Sequence, residues 1–382
     1  MANLRYKFIF ALLKWPVRLI LRLWLGFSIG KARAPRGPCI VIANHTTDFD
    51  PIFVGAAFRR QVFYVASEHI FRSKRFARLI NFAFAPISRM KGATDSSSAI
   101  ATLRALRSGA NVCIFAEGDR TWSGQTGPIH PTTARLVKSS RATLVTYRIS
   151  GGYFASPRWS TSLRKGRILC ELSGVYSPEQ VKAMSDAELV EAISRDIFED
   201  AAARQKEQRI AYKGENLAEK LECALYICPQ CQGVGALTSE GDMFSCACGL
   251  SVTFNVYGEI EGAPFDTIAE WDAWQTQQLR ERVFAKGELI YTDEDAALKE
   301  IHADHTETAV GSGTLSLFAD RLTLGAFSVT LSDLAGLSLF GRQTIMFSAK
   351  GSHYEIKWQG PVCARKYLTM FEILRARQDQ IS

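Results

Sequence analysis

The stretch Asn44-His45-Thr46-Thr47-Asp48-Phe49-Asp50-Pro51 sets a histidine five residues before an aspartate. An imidazole, with an unperturbed pKa of about 6.5, can accept a proton near neutral pH. A carboxylate on its other nitrogen orients the ring and stabilises the imidazolium that forms. Such a pair suits base-assisted attack by a hydroxyl group, with the substrate supplying the hydroxyl. His45 and Asp50 are therefore the candidate catalytic residues. The competing reading of these two residues alone is an aspartate that caps a helix beside a loop histidine.

The flanking segments say how the pair must be held. The apolar run Cys39–Ala43 reads as a buried strand, and Pro51 opens an apolar segment, Ile52 to Phe58, that reads as a helix. A strand handing over to a helix is a usual place for a site in an α/β sheet. A second block, Phe115-Ala116-Glu117-Gly118-Asp119-Arg120, follows another apolar strand, Asn111 to Phe115.

The two blocks in this order resemble the glycerolipid acyltransferase family, which contains the lysophosphatidic acid acyltransferases, with its Asn-His-x-x-x-x-Asp and Phe-Pro-Glu-Gly-Thr-Arg motifs. The resemblance covers roughly the first 200 residues. It implies acyl transfer from a thioester, acyl-CoA or acyl-carrier protein, to the hydroxyl of a lysophospholipid, with lysophosphatidate as the expected acceptor. Glycerol 3-phosphate or another lysolipid is the alternative acceptor, and a non-catalytic membrane- or nucleic-acid-binding protein the alternative class. His45 is then the base and Asp50 its orienting partner. Arg89 and Arg120 hold the acceptor phosphate, with Lys91 beside Arg89; Gly118 lets the backbone approach; Glu117 orients Arg120 and its loop. Asp119 stands where the family has threonine and Ala116 where it has proline, and a carboxylate beside Arg120 is expected to weaken its grip on phosphate.

Charge is unevenly distributed. Residues 1–170 hold 27 Lys or Arg against 6 Asp or Glu, and the remainder holds 19 against 32. The basic half suits an anionic membrane surface and phosphorylated substrates. Within it, residues 1–30 alternate Phe8, Leu12, Trp15, Ile20, Leu23 and Trp24 with Arg5, Lys7, Lys14, Arg18 and Arg22. The longest charge-free run is about eight residues, far short of the ~20 that span a bilayer. The expectation is a helix lying in the membrane interface, cations toward headgroups, on the cytoplasmic face. A helix packed on the protein's own core is the alternative. No signal peptide is read here. Further on, Arg72, Lys74, Arg75 and Arg78 read as a basic helix, and Asp95 as the cap of a helix that stops at Gly109. Pro157-Arg158-Trp159 reads as a wall beside the site.

Cys228-Pro229-Gln230-Cys231 and Cys246-Ala247-Cys248 lie 14 residues apart, the ligand set of a structural zinc ribbon. Cys223 is read as packing on a preceding helix. The ribbon lies in the acidic half without a basic or aromatic stripe, so no nucleic-acid partner is expected. Beyond it, short β-type runs between Gly313 and Trp358 and a final helix from Pro361 resemble a pleckstrin-homology or GRAM-like domain. His302, Asp304 and His305 are read as solvated turn residues that bind nothing.

The expected architecture is a multidomain chain. Residues 1–30 form the amphipathic segment and 31–210 an α/β acyltransferase domain with a mixed sheet. Residues 211–262 form a linker helix and small zinc ribbon, and 263–382 a small antiparallel β-barrel capped by a C-terminal helix. Structural Zn²⁺ is the expected metal, and no organic cofactor is expected.

Overall fold

A computed structural model of the chain describes residues 4–67, 84–89, 96–302, 304, 306–360 and 362–381. The expected basic helix at Arg72–Arg78, Lys91, the Asp95 cap and His305 lie outside the described residues. Two compact units emerge; of the described residues, those within 4–217 and 255–259 make up the first and those within 218–254 and 260–381 the second.

In the first unit, helix α1 (Leu4–Leu25) leads into strand β1 (Phe27–Ile29) and strand β2 (Cys39–Ala43). Helix α2 (Asp50–Ala57), strands β3 (Val62–Ser67) and β4 (Ile87–Arg89), helix α3 (Ser96–Arg107) and strand β5 (Asn111–Phe115) follow. Helix α4 (Thr132–Ser140) and strands β6 (Thr143–Ser150) and β7 (Ile168–Tyr176) complete a mixed seven-stranded sheet of order β1-β7-β6-β2-β5-β3-β4. Strands β6, β2, β5, β3 and β4 run parallel, and β7 runs antiparallel to β6. Every residue of β2 and β5 is buried, as continuous apolar runs covered on both faces must be. Because the strands are parallel, the carboxyl ends of β2 and β5 open onto the same edge of the sheet, each followed by one of the two motifs.

Two buried asparagines fix this frame. Asn111 takes the Cys39 amide on its Oδ1 (3.1 Å) and donates to the Gln61 carbonyl (2.8 Å), tying the entries of β2, β3 and β5. Asn44 exchanges two bonds with Ile149, at 2.7 and 2.9 Å, which continues the β2–β6 pairing to the start of the histidine loop. Helix α5 (Asp186–Ile197) starts at a Ser185–Glu188 capping box, in which each side chain meets the other residue's backbone amide. The helical run does not continue unbroken: Asp200 caps a separate helix, Ala201–Gln208, and the intervening Glu199 is buried against Arg204 at 2.7 Å.

Helix α1 departs from its expected polarity. Lys14 donates to the Phe58 carbonyl and Arg18 to that of Ala56, so both cations cap the carboxyl end of α2, where the helix dipole favours positive charge. Burial pulls the Lys14 ammonium down to about 8, with Arg18, Arg33 and Arg59 adding to the effect. These two cations are therefore spent on the protein rather than turned to solvent. Leu21 and Leu25 are buried, and Tyr6 meets Phe63 edge-on at 5.9 Å. The other face leaves Leu4, Phe8, Leu12, Trp15, Leu19 and Leu23 more than half exposed at helical spacing. Among the described residues no helix is long and apolar enough to cross a membrane.

In the second unit, strands β8 (Leu237–Glu240), β9 (Met243–Cys246), β10 (Ser251–Phe254) and β11 (Ile260–Glu261) form an antiparallel sheet of order β11-β10-β9-β8. The expected linker helix reduces to one 3₁₀ turn, Leu221–Cys223, because Asn216 and Lys220 adopt positive φ and break any longer helix. Helix α6 (Ile268–Glu281) follows. A second antiparallel sheet then contains β12 (Leu289–Ile301), β13 (Glu307–Phe318), β14 (Arg321–Leu324), β15 (Phe327–Thr330), β16 (Leu334–Phe340), β17 (Thr344–Ala349) and β18 (Ser352–Trp358). Its order is β15-β14-β13-β12-β18-β17-β16, and among the described residues its edge strands do not pair with each other. Instead of a closed barrel ladder, Arg375 on helix α7 (Arg365–Ile381) takes the Leu331 and Leu334 carbonyls at the turn joining β15 to β16. His302 bonds Thr308 at 2.8 Å and Asp304 accepts from Thr306, so both are local turn residues.

Candidate active site

Asp50 opens α2, yet its carboxylate does not cap that helix. It turns back onto the loop from β2. Oδ2 receives the His45 Nδ1 at 2.8 Å and the Thr46 and Thr47 amides at 2.5 and 2.9 Å. Oδ1 receives both threonine hydroxyls at 3.1 Å. The side chain is wholly buried. The two backbone amides make Oδ2 an acceptor, and the five contacts together fix the carboxyl group from every side. Since Oδ2 can only accept, His45 Nδ1 carries the hydrogen, and Nε2 is left as the basic nitrogen. The ring stacks on Phe115 (centroids 4.3 Å, 20°) and keeps about one-fifth of its surface exposed.

Glu117 belongs to this framework in a role the sequence does not reveal. Its Oε1 accepts the His45 amide at 2.5 Å and its Oε2 the Gly127 amide at 2.7 Å. It clamps the backbone of the histidine and does not contact Arg120 through any of these bonds. Burial pushes its carboxyl up to about 8, against the pull of the Gly127 and His45 amides; the charges of Asp50 and Asp119 add to the push. Gly118 turns at φ +78° with its amide bonded to the Phe115 carbonyl at 3.1 Å, a conformation that a side chain would strain. Thr121 donates to the His45 carbonyl at 3.0 Å, so the second motif holds the first at both ends of one residue.

Arg120 reaches Asp48, the exposed acid inside the histidine loop, at 2.9 Å. Asp119, expected to crowd Arg120, pairs with Arg158 at 2.8 Å. Arg158 is itself buried, lies 4.3 Å over the Trp122 ring and donates to the Arg120 carbonyl at 3.0 Å. The segment Pro157–Trp159 is thus a buried support under the arginine loop and not an open wall. The Asp119 substitution is matched by a cation contributed 39 residues later, a pairing invisible to local reading.

His45, Asp50, Glu117, Gly118 and Arg120 come together in one constellation at the carboxyl ends of β2 and β5. Arg89 ends β4 on the same edge of the sheet and is exposed. It lies three strands from β2, roughly 14 Å by strand spacing. Lys91, its expected neighbour, is outside the described residues.

Residues 28–150 match the acyltransferase family model. That stretch, about a third of the chain, runs from β1 to the end of β6 and contains every residue of the constellation. The fold is also similar to the crystal structure of the 1-acyl-sn-glycerophosphate (LPA) acyltransferase PlsC from Thermotoga maritima. Identity is 15% and the TM-score 0.43, over 52% of this chain and 80% of that one. A second solved chain, in the 8S snRNP assembly intermediate, aligns at 18% identity and TM-score 0.18 over 26% of this chain and 87% of its own. No curated protein matches the sequence.

In the second unit, Cys228, Cys231, Cys246 and Cys248 gather with all four Sγ atoms within 4.8 Å of one another. Cys223 is buried at the end of its 3₁₀ turn.

Proposed function

We propose that the first unit transfers a fatty acyl group from an acyl thioester, acyl-CoA or acyl-carrier protein, to the free hydroxyl of lysophosphatidate, giving phosphatidate. The observation that carries this reading is the 2.8 Å bond between His45 and a buried Asp50 whose remaining capacity is filled by the loop itself. The match of residues 28–150 to the acyltransferase model supports it.

In the reaction, His45 Nε2 takes the hydroxyl proton as the oxygen attacks the thioester carbonyl. The C–S bond breaks, and the imidazolium returns the proton to the departing thiolate. Asp50 stabilises the imidazolium without taking a proton. A thiol leaving group with an ordinary pKa near 8.5 needs little acid assistance. Arg120 and Arg89 attract the acceptor phosphate, and a phosphate entering at Arg120 takes the place of Asp48. Glycerol 3-phosphate or another lysolipid is the second reading; the Asp48–Arg120 pair, which makes phosphate binding a competition with an internal carboxylate, favours a lysolipid without a terminal phosphate.

The exposed apolar stripe of α1 supports attachment to a bilayer interface, and the reading puts that interface on the anionic, cytoplasmic side, with the active edge of the sheet working on lipid substrates. The test is phosphatidate formation by the purified chain with acyl-CoA and acyl-carrier-protein donors, beside a His45→Ala control. A fall of about 10² or more in the control supports the reading. Equal product from both proteins sinks it.

A further inference from the structure

We infer that Cys228, Cys231, Cys246 and Cys248 hold one zinc ion in a closed tetrahedral thiolate site, and that this ion is what keeps the two halves of the ribbon folded onto α6 and α7. The inference stands apart from the acyl-transfer reading, since every residue in it belongs to the second unit.

The sulfur geometry carries the metal. Cys228 and Cys248 bring their sulfurs to 3.6 Å, and Cys231 and Cys246 to 3.7 Å. A tetrahedron with Zn–S bonds of about 2.3 Å has edges of about 3.8 Å. A disulfide requires about 2.05 Å, so neither pair is bonded. Burial does not explain the cluster, because Cys231 and Cys248 are exposed and still turn their sulfurs inward. Each pair also sits in a tight turn built for it. The Cys228 carbonyl receives the Gln232 amide at 2.9 Å, with Gln232 at φ +57°; the Cys246 carbonyl receives the Gly249 amide at 3.0 Å, with Gly249 at φ +101°. Four protein ligands leave no open position, which makes the site structural.

The role follows from what each turn is attached to. Leu225–Cys228 is fully buried: Gln275 of α6 accepts the Tyr226 amide at 3.0 Å, and Trp271 donates to the Ile227 carbonyl at 2.9 Å. Arg365, at the start of α7, bonds the Ala224 carbonyl at 2.8 Å and pairs with Asp272 at 2.7 Å. The other turn ends β9, whose Phe244 packs on Trp271 at 5.6 Å. Strands of two to four residues cannot hold themselves together. The ion joins the two segments that sandwich Trp271, so its loss frees both from α6.

The full chain, purified under reducing conditions, is assayed for metal by mass spectrometry. The expected result is one zinc per chain, replaceable by cobalt(II) with the intense visible bands of a tetrahedral tetrathiolate. A Cys231→Ser/Cys248→Ser double variant is expected to lose the metal, and residues 218–382 to become sensitive to protease at temperatures where the zinc-loaded chain resists. A metal-free wild type with four titratable thiols overturns the inference; so do Cys228–Cys248 and Cys231–Cys246 disulfides in the native chain, or iron as the occupant. Zinc retained by the double variant also overturns it. If that variant does not fold, stoichiometry and the cobalt spectrum of the wild type decide alone.

Discussion

Replacing Asp50 by asparagine separates the charge of the carboxylate from its geometry. Oδ2 meets three donors, two of them backbone amides that cannot rotate away, whereas Oδ1 meets two hydroxyls that can turn and accept. An asparagine therefore places its oxygen at the Oδ2 position and its NH₂ toward Thr46 and Thr47. The bond to His45 Nδ1 survives and the ring keeps the same tautomer, but the negative charge that stabilises the imidazolium is gone. Charge-assisted hydrogen bonds contribute about 1.5–3 kcal/mol against about 1 for neutral ones, so the transition state loses roughly 1–2 kcal/mol. That converts to a fall of roughly 5- to 30-fold in kcat, with KM for the donor unchanged. Asp50→Ala behaves differently. It leaves the buried Thr46 and Thr47 amides without an acceptor, at a cost of about 1–3 kcal/mol each in stability. The assay is thiol release from acyl-CoA in the presence of lysophosphatidate, run beside thermal melts of both variants. A wild-type kcat in Asp50→Asn would falsify the role given to the charge. A drop as deep as that of His45→Ala, with an unchanged melting temperature, refutes the orientation argument.

Glu117 holds its proton in the folded state to about pH 8, well above the ordinary carboxylate value of 4.5, so the native state binds the proton that the unfolded chain releases. Its contribution to stability is therefore present below about pH 4.5 and is lost as the pH rises through about 8. Melting curves of wild type minus Glu117→Gln across that window are expected to slope downward with pH; a flat difference removes burial as the dominant influence on this group. Asp48→Asn frees Arg120 from an exposed partner. Since exposed pairs contribute up to about 1 kcal/mol, KM for a phosphorylated acceptor is expected to fall by at most about fivefold. An unchanged or raised KM means that Arg120 does not meet the phosphate. Trp15→Ser with Leu19→Ser is expected to abolish flotation with vesicles containing anionic lipid while leaving the melting temperature within a degree or two, because both side chains are mostly exposed. Flotation equal to wild type assigns that face another partner.

What was legible in the sequence was local. Two continuous apolar strands, a histidine and aspartate one loop apart, paired cysteine turns and serine capping boxes each declare themselves within about eight residues, because the interactions that form them close over that distance. The same locality explains the residues that escaped notice. Leu289–Ile301 contains Asp293-Glu294-Asp295 and Ala-Ala-Leu-Lys-Glu, poor strand formers, yet pairing with both β13 and β18 makes it the central strand of its sheet. Glu117 reads as an arginine partner from its neighbours. It becomes a clamp on the His45 backbone only because parallel pairing of β2 with β5 brings two loops 72 residues apart to the same edge. Asp119 with Arg158, Arg120 with Asp48, and Lys14 and Arg18 on the end of α2 are likewise choices among many possible ionic partners. A charge in a sequence has no direction. Sequence alone named the residue types the chemistry needs, and burial with strand order decided which of them face one another.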